Sequence, residues 1–286
     1  MTIAFTPAPV TAPRRATLAS ILPRDPRWFQ IFSLGVLLSW GMLFLGFNQK
    51  PWGIACVFAA ALLTQATMTR LLTPASRFDP LSAAITSLSL SLLLRVDDAF
   101  WMAIAATLAI GSKFLIRVNG KHLFNPATFA IVALLAAGQG WVSPSQWGSR
   151  TLAAFFFASL AGLVLTRARR ADIALAFLGS YVALVFLRAF WLGDPLAIPL
   201  KQIQSGALLL FAFFMISDPK TTPDARMHRV LFGVFVASLG FALQFIFYVP
   251  EGLIYALFAS APLVPLLDRL RPLAPARRFH WSRPQT

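Results

Sequence analysis

Between Gly120 and Ile131 the chain reads GKHLFNPATFAI, which sets Lys121, His122 and Asn125 at the entrance to an apolar run. An ammonium, an imidazole and an amide side by side can hold a polar or charged ligand. Asn125-Pro126 can equally do no more than start a helix, because the amide accepts orphan N–H groups and proline fits the first turn. Thr128 falls in that first turn and joins the candidates. A second start, Asp79-Pro80, precedes PLSAAITSLSLSLL, where Ser82, Thr86 and Ser89 share one helical face. Those hydroxyls suit a polar ligand, or they bond back to carbonyls of their own helix. With both starts on one side of a membrane, two positive dipole ends converge. Anions, nucleotides and the electron-rich edge of a reduced flavin all meet that requirement.

Other polar residues near apolar runs carry weaker signals. Lys113, in AIGSKFLIRV, lies about a turn before its run ends, and either snorkels to the headgroups or meets an anionic partner. Arg188 reads as snorkelling to the outer surface. Asp97, Asp98 and Asp224 read as solvated helix ends, whereas Asp79 and Asp218 stay open between that role and ligand contact. No acidic residue lies mid-span, which removes the simplest proton or sodium pathway. Cys56 is the single cysteine, and His122, His228 and His280 are scattered, so neither a thiolate metal site nor paired-histidine haem ligation is supported.

The elements that must position these residues are membrane helices. The chain of 286 residues is 58% hydrophobic, only 12% charged, and has a mean hydropathy of +0.71. A soluble domain is about a quarter charged. Its net charge of +15 sits in the segments between apolar runs, which points to membrane topology and not to nucleic acid. Read at about twenty residues per crossing, the apolar runs predict ten spans: 29–47, 52–69, 81–94, 99–116, 126–142, 149–166, 172–193, 205–217, 228–248 and 252–267. With both termini cytoplasmic, nineteen Lys and Arg lie inside and four outside, as expected of a multi-pass protein of the inner (plasma) membrane. The expected organisation is an uncleaved leader (1–28), a first set of five helices (29–142), a short external loop (143–148), a second set (149–267) and a basic tail (268–286). The third and eighth spans are short, each third in its set. Five is odd, so the sets would be inverted relative to one another, with a ligand site between them.

GKHLFNPA, then SGALLLFAFFMISDPKTTP and HRVLFGVFVASL, resembles the RnfD-type subunit of Rnf electron transport complexes and its counterpart in the sodium-translocating NADH:quinone oxidoreductase. PLSAAITSLSLSLL and PLVPLLDRLRP extend the likeness over most of residues 30–275. The resemblance implies ten spans in two inverted sets of five, cytoplasmic termini and flavins as electron carriers. By motif, His122 and Asn125 align with residues that look like riboflavin contacts, with Ser82 and Thr86 facing the same region, while Ser205, Gly206 and Asp218 match the eighth-span motif. The family's covalent FMN is carried by a Thr in a long external segment. Here SPSQWGS (143–149) has no such Thr, which argues against covalent FMN and marks a shortened, stand-alone relative. The expectation is an electron-transfer subunit with non-covalent riboflavin or FMN, a redox protein or quinone as partner, and no complete active site of its own. A small-solute transporter and a cofactor-free scaffold of a redox assembly are the alternatives.

Overall fold

The computed structural model describes residues 25–47, 49–74, 78–142 and 171–270. Four of its helices start on a proline that follows a residue in extended or near-extended backbone. These are α1 (Pro26–Phe44), α2 (Pro51–Leu72), α3 (Pro80–Leu93) and, after α4 (Ala99–Leu115), α5 (Pro126–Ala136). Proline costs nothing there, since its missing N–H would find no partner in the first turn. Side chains complete some of these starts: Asp25 accepts from the Arg27 N–H at 3.0 Å, and Asp98 from the Phe100 N–H at 2.7 Å.

The second half holds α6 (Ala171–Leu192), α7 (Ala197–Ile203), α8 (Gly206–Leu210) running into a π-helical turn (Phe211–Met215), α9 (Arg226–Phe245), α10 (Gly252–Ser260) and α11 (Leu263–Leu270). Four helices (α1, α2, α6 and α9) are long and apolar enough to cross a membrane. The count rises to six if the bent pairs α7 with Gly206–Met215 (43°) and α10 with α11 (46°) are each one span. Among the described residues the chain is therefore helical, with four to six candidate spans and three shorter apolar helices, α3, α4 and α5. The expected span 149–166 and loop 143–148 lie outside the described residues, as do nearly all of the leader and most of the tail.

The fifth span was expected over 126–142, but α5 stops at Ala136. Gly138 takes φ +67°, its N–H bonds Leu135 O at 3.0 Å, and the Gln139 N–H bonds Leu134 O at 2.9 Å. That pair of bonds with a left-handed glycine is a Schellman stop. The chain then pairs β4 (Trp141–Val142) antiparallel with β1 (Leu94–Arg95), tying the far ends of α3 and α5 together. In the first half α2 packs on α4 and α4 on α5; in the second, α6 packs on α9 and α9 on α10. A small hairpin joins α4 to α5: β2 (Arg117–Val118) pairs with β3 (Lys121–His122) across Asn119-Gly120, both at positive φ. Asn-Gly is the preferred sequence for such a two-residue turn, and the turn sets where Lys121 and His122 stand.

Candidate functional site

The starts of α3 and α5 do converge. Ser82 and Thr86 from α3, Lys113 from α4, His122 from the hairpin, Asn125 from α5 and Asp218 after the π-turn line one cavity of about 100 Å³. Thr86 and Ser89 donate their hydroxyls to Ser82 O and Ile85 O, at 3.0 and 2.9 Å, so the α3 hydroxyls do satisfy their own helix. Asn125 uses both ends of its amide. Its Oδ1 accepts from the Thr128 N–H at 3.2 Å and from Thr128 Oγ1 at 3.4 Å, while its Nδ2 donates to Met215 O at 3.4 Å. The residue is thus a helix cap that also ties α5 to the π-turn. Thr128 supports the cap and is buried behind the cavity wall.

Lys113 does not snorkel. It is 4% exposed, and its ammonium donates to Ser82 Oγ at 2.9 Å and Ser82 O at 3.3 Å. The helix turns this position inward, against the first turn of α3. His122 donates from Nδ1 to Lys113 O at 3.1 Å, because a carbonyl can only accept. Burial, followed by the charges of Lys220, Lys113 and Arg117, pushes its pKa down to about 3. The ring is therefore neutral at pH 7, with its proton on Nδ1. Burial also pushes Lys220, at the cavity rim, downward.

Lys121 leaves the cavity to its neighbour and builds a latch. Its ammonium reaches Asp224 Oδ1 and Asp268 Oδ2, each at 2.8 Å, and Thr222 O at 3.1 Å. Asp224, expected at a solvated end, is half-buried, with its side chain turned into that cluster. Asp98 caps α4, as noted, and Asp79 pairs with Arg27. Arg188, its side chain 32% exposed, reaches past the end of α6 to Asp194 at 3.4 Å and lies over the Phe245 ring at 4.9 Å.

Ser205 lies elsewhere. It lines a second cavity of about 490 Å³ with Tyr181, Gln202, Phe211, Gln244 and Phe245 among a mostly apolar wall. Tyr181 donates to Gln244 Oε1 at 2.6 Å and Gln244 Nε2 to Pro250 O at 3.0 Å. Gly206 starts α8 and is buried, but lines neither cavity. The eighth-span motif is thus divided: its start faces the second cavity, and its end, from Phe213 to Asp218, faces the first. Sequence reasoning missed Arg27, Ser217 and Lys220 on the first cavity, and Tyr181 and Gln244 on the second. Lys220 was signalled by following Asp218-Pro219; Arg27 looked like one more charge of the leader.

What these elements define is a membrane-embedded helical protein with a small, cation-rich cavity and a larger apolar one. Comparison with known proteins gives it relatives. Residues 140–274 match the NQR2, RnfD, RnfE family. The chain is 24% identical over 253 residues to the D subunit of the ion-translocating oxidoreductase complex of Tolumonas auensis, an alignment covering 87% of this chain and 72% of that one. It is 31% identical over 143 residues to the corresponding protein of Escherichia coli O81, and 32% identical over 135 residues to that of Vibrio vulnificus. Those two alignments take in 49% and 46% of this chain but only 38% and 35% of the relatives. The likeness read from the motifs therefore holds: the chain is similar to the NQR2, RnfD, RnfE family over residues 140–274.

Proposed function

We propose that the protein is a membrane electron-transfer subunit that carries riboflavin or FMN without a covalent bond, in a redox assembly of the kind its relatives' names describe. A redox protein or a quinone would exchange electrons with it. The charge bias supports a place in the inner membrane with cytoplasmic termini. Two inverted sets of five spans are supported by the short third member of each set and by the matching packing of α2 on α4 and α6 on α9.

The carrying observation is that one short segment, Gly206–Met215, separates two cavities of opposite character. Cofactor sites run from roughly 300 to 1,000 Å³ and combine apolar walls with a few polar groups. The second cavity, at about 490 Å³, meets that description better than the first, at about 100 Å³. Phe211 and Phe245 would supply apolar walls for the flavin, and Gln202 and Ser205 polar contacts. A flavin supplies one- and two-electron transfer when bound; the protein's own residues exclude water from the ring and orient its edge.

Protein purified without added flavin should absorb in the flavin bands, and extraction with mass analysis should identify the cofactor. Leu208→Trp, which fills the second cavity, should lower flavin content, while Ser89→Ala on the first should not. A colourless preparation that also fails to take up added flavin would end this reading.

A further inference from the structure

We infer that the first cavity is a binding site for an oxyanion the size of one phosphate group, held by Lys113 and the first turn of α3. The ammonium of Lys113 is buried, and among the described residues no carboxylate lies within ion-pair distance of it. Its hydrogen-bond partner, Ser82, is the third residue of α3. A buried cation is thus set against the positive end of a helix dipole; the carboxylates of Asp79 and Asp218 on the same wall offset part of that charge, and an anion between them would relieve it further.

The start of α3 is itself incomplete. Asp79 holds the cap position but makes no capping hydrogen bond, and its carboxylate is turned to Arg27. First-turn N–H groups without a capping side chain are ready donors to an anion. The start of α5 adds a second dipole end on the same wall, and Lys220 adds a cation that makes no ion pair among the described residues. The opposing charges on the wall are Asp79, matched by Arg27, and Asp218, which accepts from the Lys220 backbone N–H at 3.0 Å. The wall is therefore net positive. A cavity of about 100 Å³ has room for several waters, and so for a phosphate group. An oxyanion is all acceptor, and everything offered here by Lys113, Ser82 and the α3 N–H groups is a donor.

The same chemistry could arrive as free phosphate or as a lipid headgroup, and neither source rests on the flavin reading above, which concerns the other cavity. The test uses the full chain, purified in detergent and stripped of lipid. Inorganic phosphate is titrated against chloride at matched ionic strength, with binding followed by calorimetry and by thermal stability. Saturable binding specific to phosphate is expected, with affinity at least about tenfold weaker in Lys113→Met and a few-fold weaker in Ser82→Ala. The serine variant keeps the question answerable if the lysine variant does not fold.

Competition by phosphatidylglycerol in mixed micelles assigns the lipid. Phosphate binding without that competition assigns the free ion. Absence of a phosphate effect beyond chloride, or unchanged affinity in both variants, overturns the site. Flavin colour without phosphate binding would sink this inference alone, and phosphate binding in a colourless protein that takes up no added flavin would sink the flavin reading alone.

Discussion

Replacing Lys121 with Met should destabilise the fold more than any surface charge change, although the residue is not on the cavity wall. Its ammonium sits between two carboxylates, 2.8 Å from each, whose side chains are only 8% and 18% exposed. Methionine keeps the length of the stem but leaves Asp224 and Asp268 facing each other unneutralised. Removing one partner of a buried ion pair costs about 3–5 kcal/mol. The partial exposure of this cluster argues for the lower end, about 3 kcal/mol. At about 2–4 °C per kcal/mol that is a fall of about 6–12 °C in Tm. The assay is thermal unfolding in detergent, read by size-exclusion chromatography of heated samples. The decisive control is Lys121→Met combined with Asp268→Asn. The amide still accepts the Asp224 N–H that Asp268 Oδ1 now takes at 2.8 Å, but the repulsion is gone, so about half the loss should return. A single variant melting within about 1 °C of wild type, or a double variant no more stable than the single, would refute the reasoning. Because Lys121 ties the hairpin to the loop after the π-turn, phosphate affinity should fall with stability in the single variant and recover in the double.

Asn125→Ala removes both the α5 cap and the tie to Met215 O, and should cost about 1–2 kcal/mol; Asn125→Asp keeps the cap acceptor, so thermal unfolding should place it between the two. For His122 the pKa of about 3 in the fold lies below the ordinary value of about 6.5. Between those values the unfolded chain binds a proton that the folded chain does not, so stability falls as pH drops through that window, by up to about 1.4 kcal/mol per pH unit. His122→Gln should flatten this slope in denaturant titrations run at several pH values. Gly233→Val should separate α6 from α9, since a Cβ there would lie 3.0 Å from Ile173 O and 3.3 Å from the Phe177 backbone N; a loss of about 1–3 kcal/mol is expected in the same unfolding assay.

The sequence disclosed what local chemistry decides and concealed what rotation and register decide. Asn125-Pro126 and Asp79-Pro80 were readable as helix starts because cap and proline preferences are local. The Asn119-Gly120 turn carries an equally local signal, but the hairpin that delivers His122 was not among the elements expected. Lys113 was not, since a lysine a turn from a helix end can reach either the headgroups or the interior. Only the rotation of α4 against α3 turns it to Ser82. The grouping of Ser205 with Asp218 could have been questioned by arithmetic: ten residues from Gly206 to Met215 reach about 15 Å, too far for both ends to wall one small cavity.

The short helices themselves contain the reason that one end of α3 attracts a ligand. Helices that stop inside a membrane must satisfy their terminal groups within the protein. At its far end α3 does so in excess. Arg95 donates to Ser91 O, Leu92 O and Leu94 O at 3.0, 3.2 and 2.9 Å, and Gln49 to Ser91 O and Leu94 O at 3.0 and 2.8 Å. At its near end there is no capping side chain, and a buried lysine adds charge of the wrong sign. A fold that over-satisfies one end of a helix and leaves the other cationic and uncapped has made an anion the missing part of its structure.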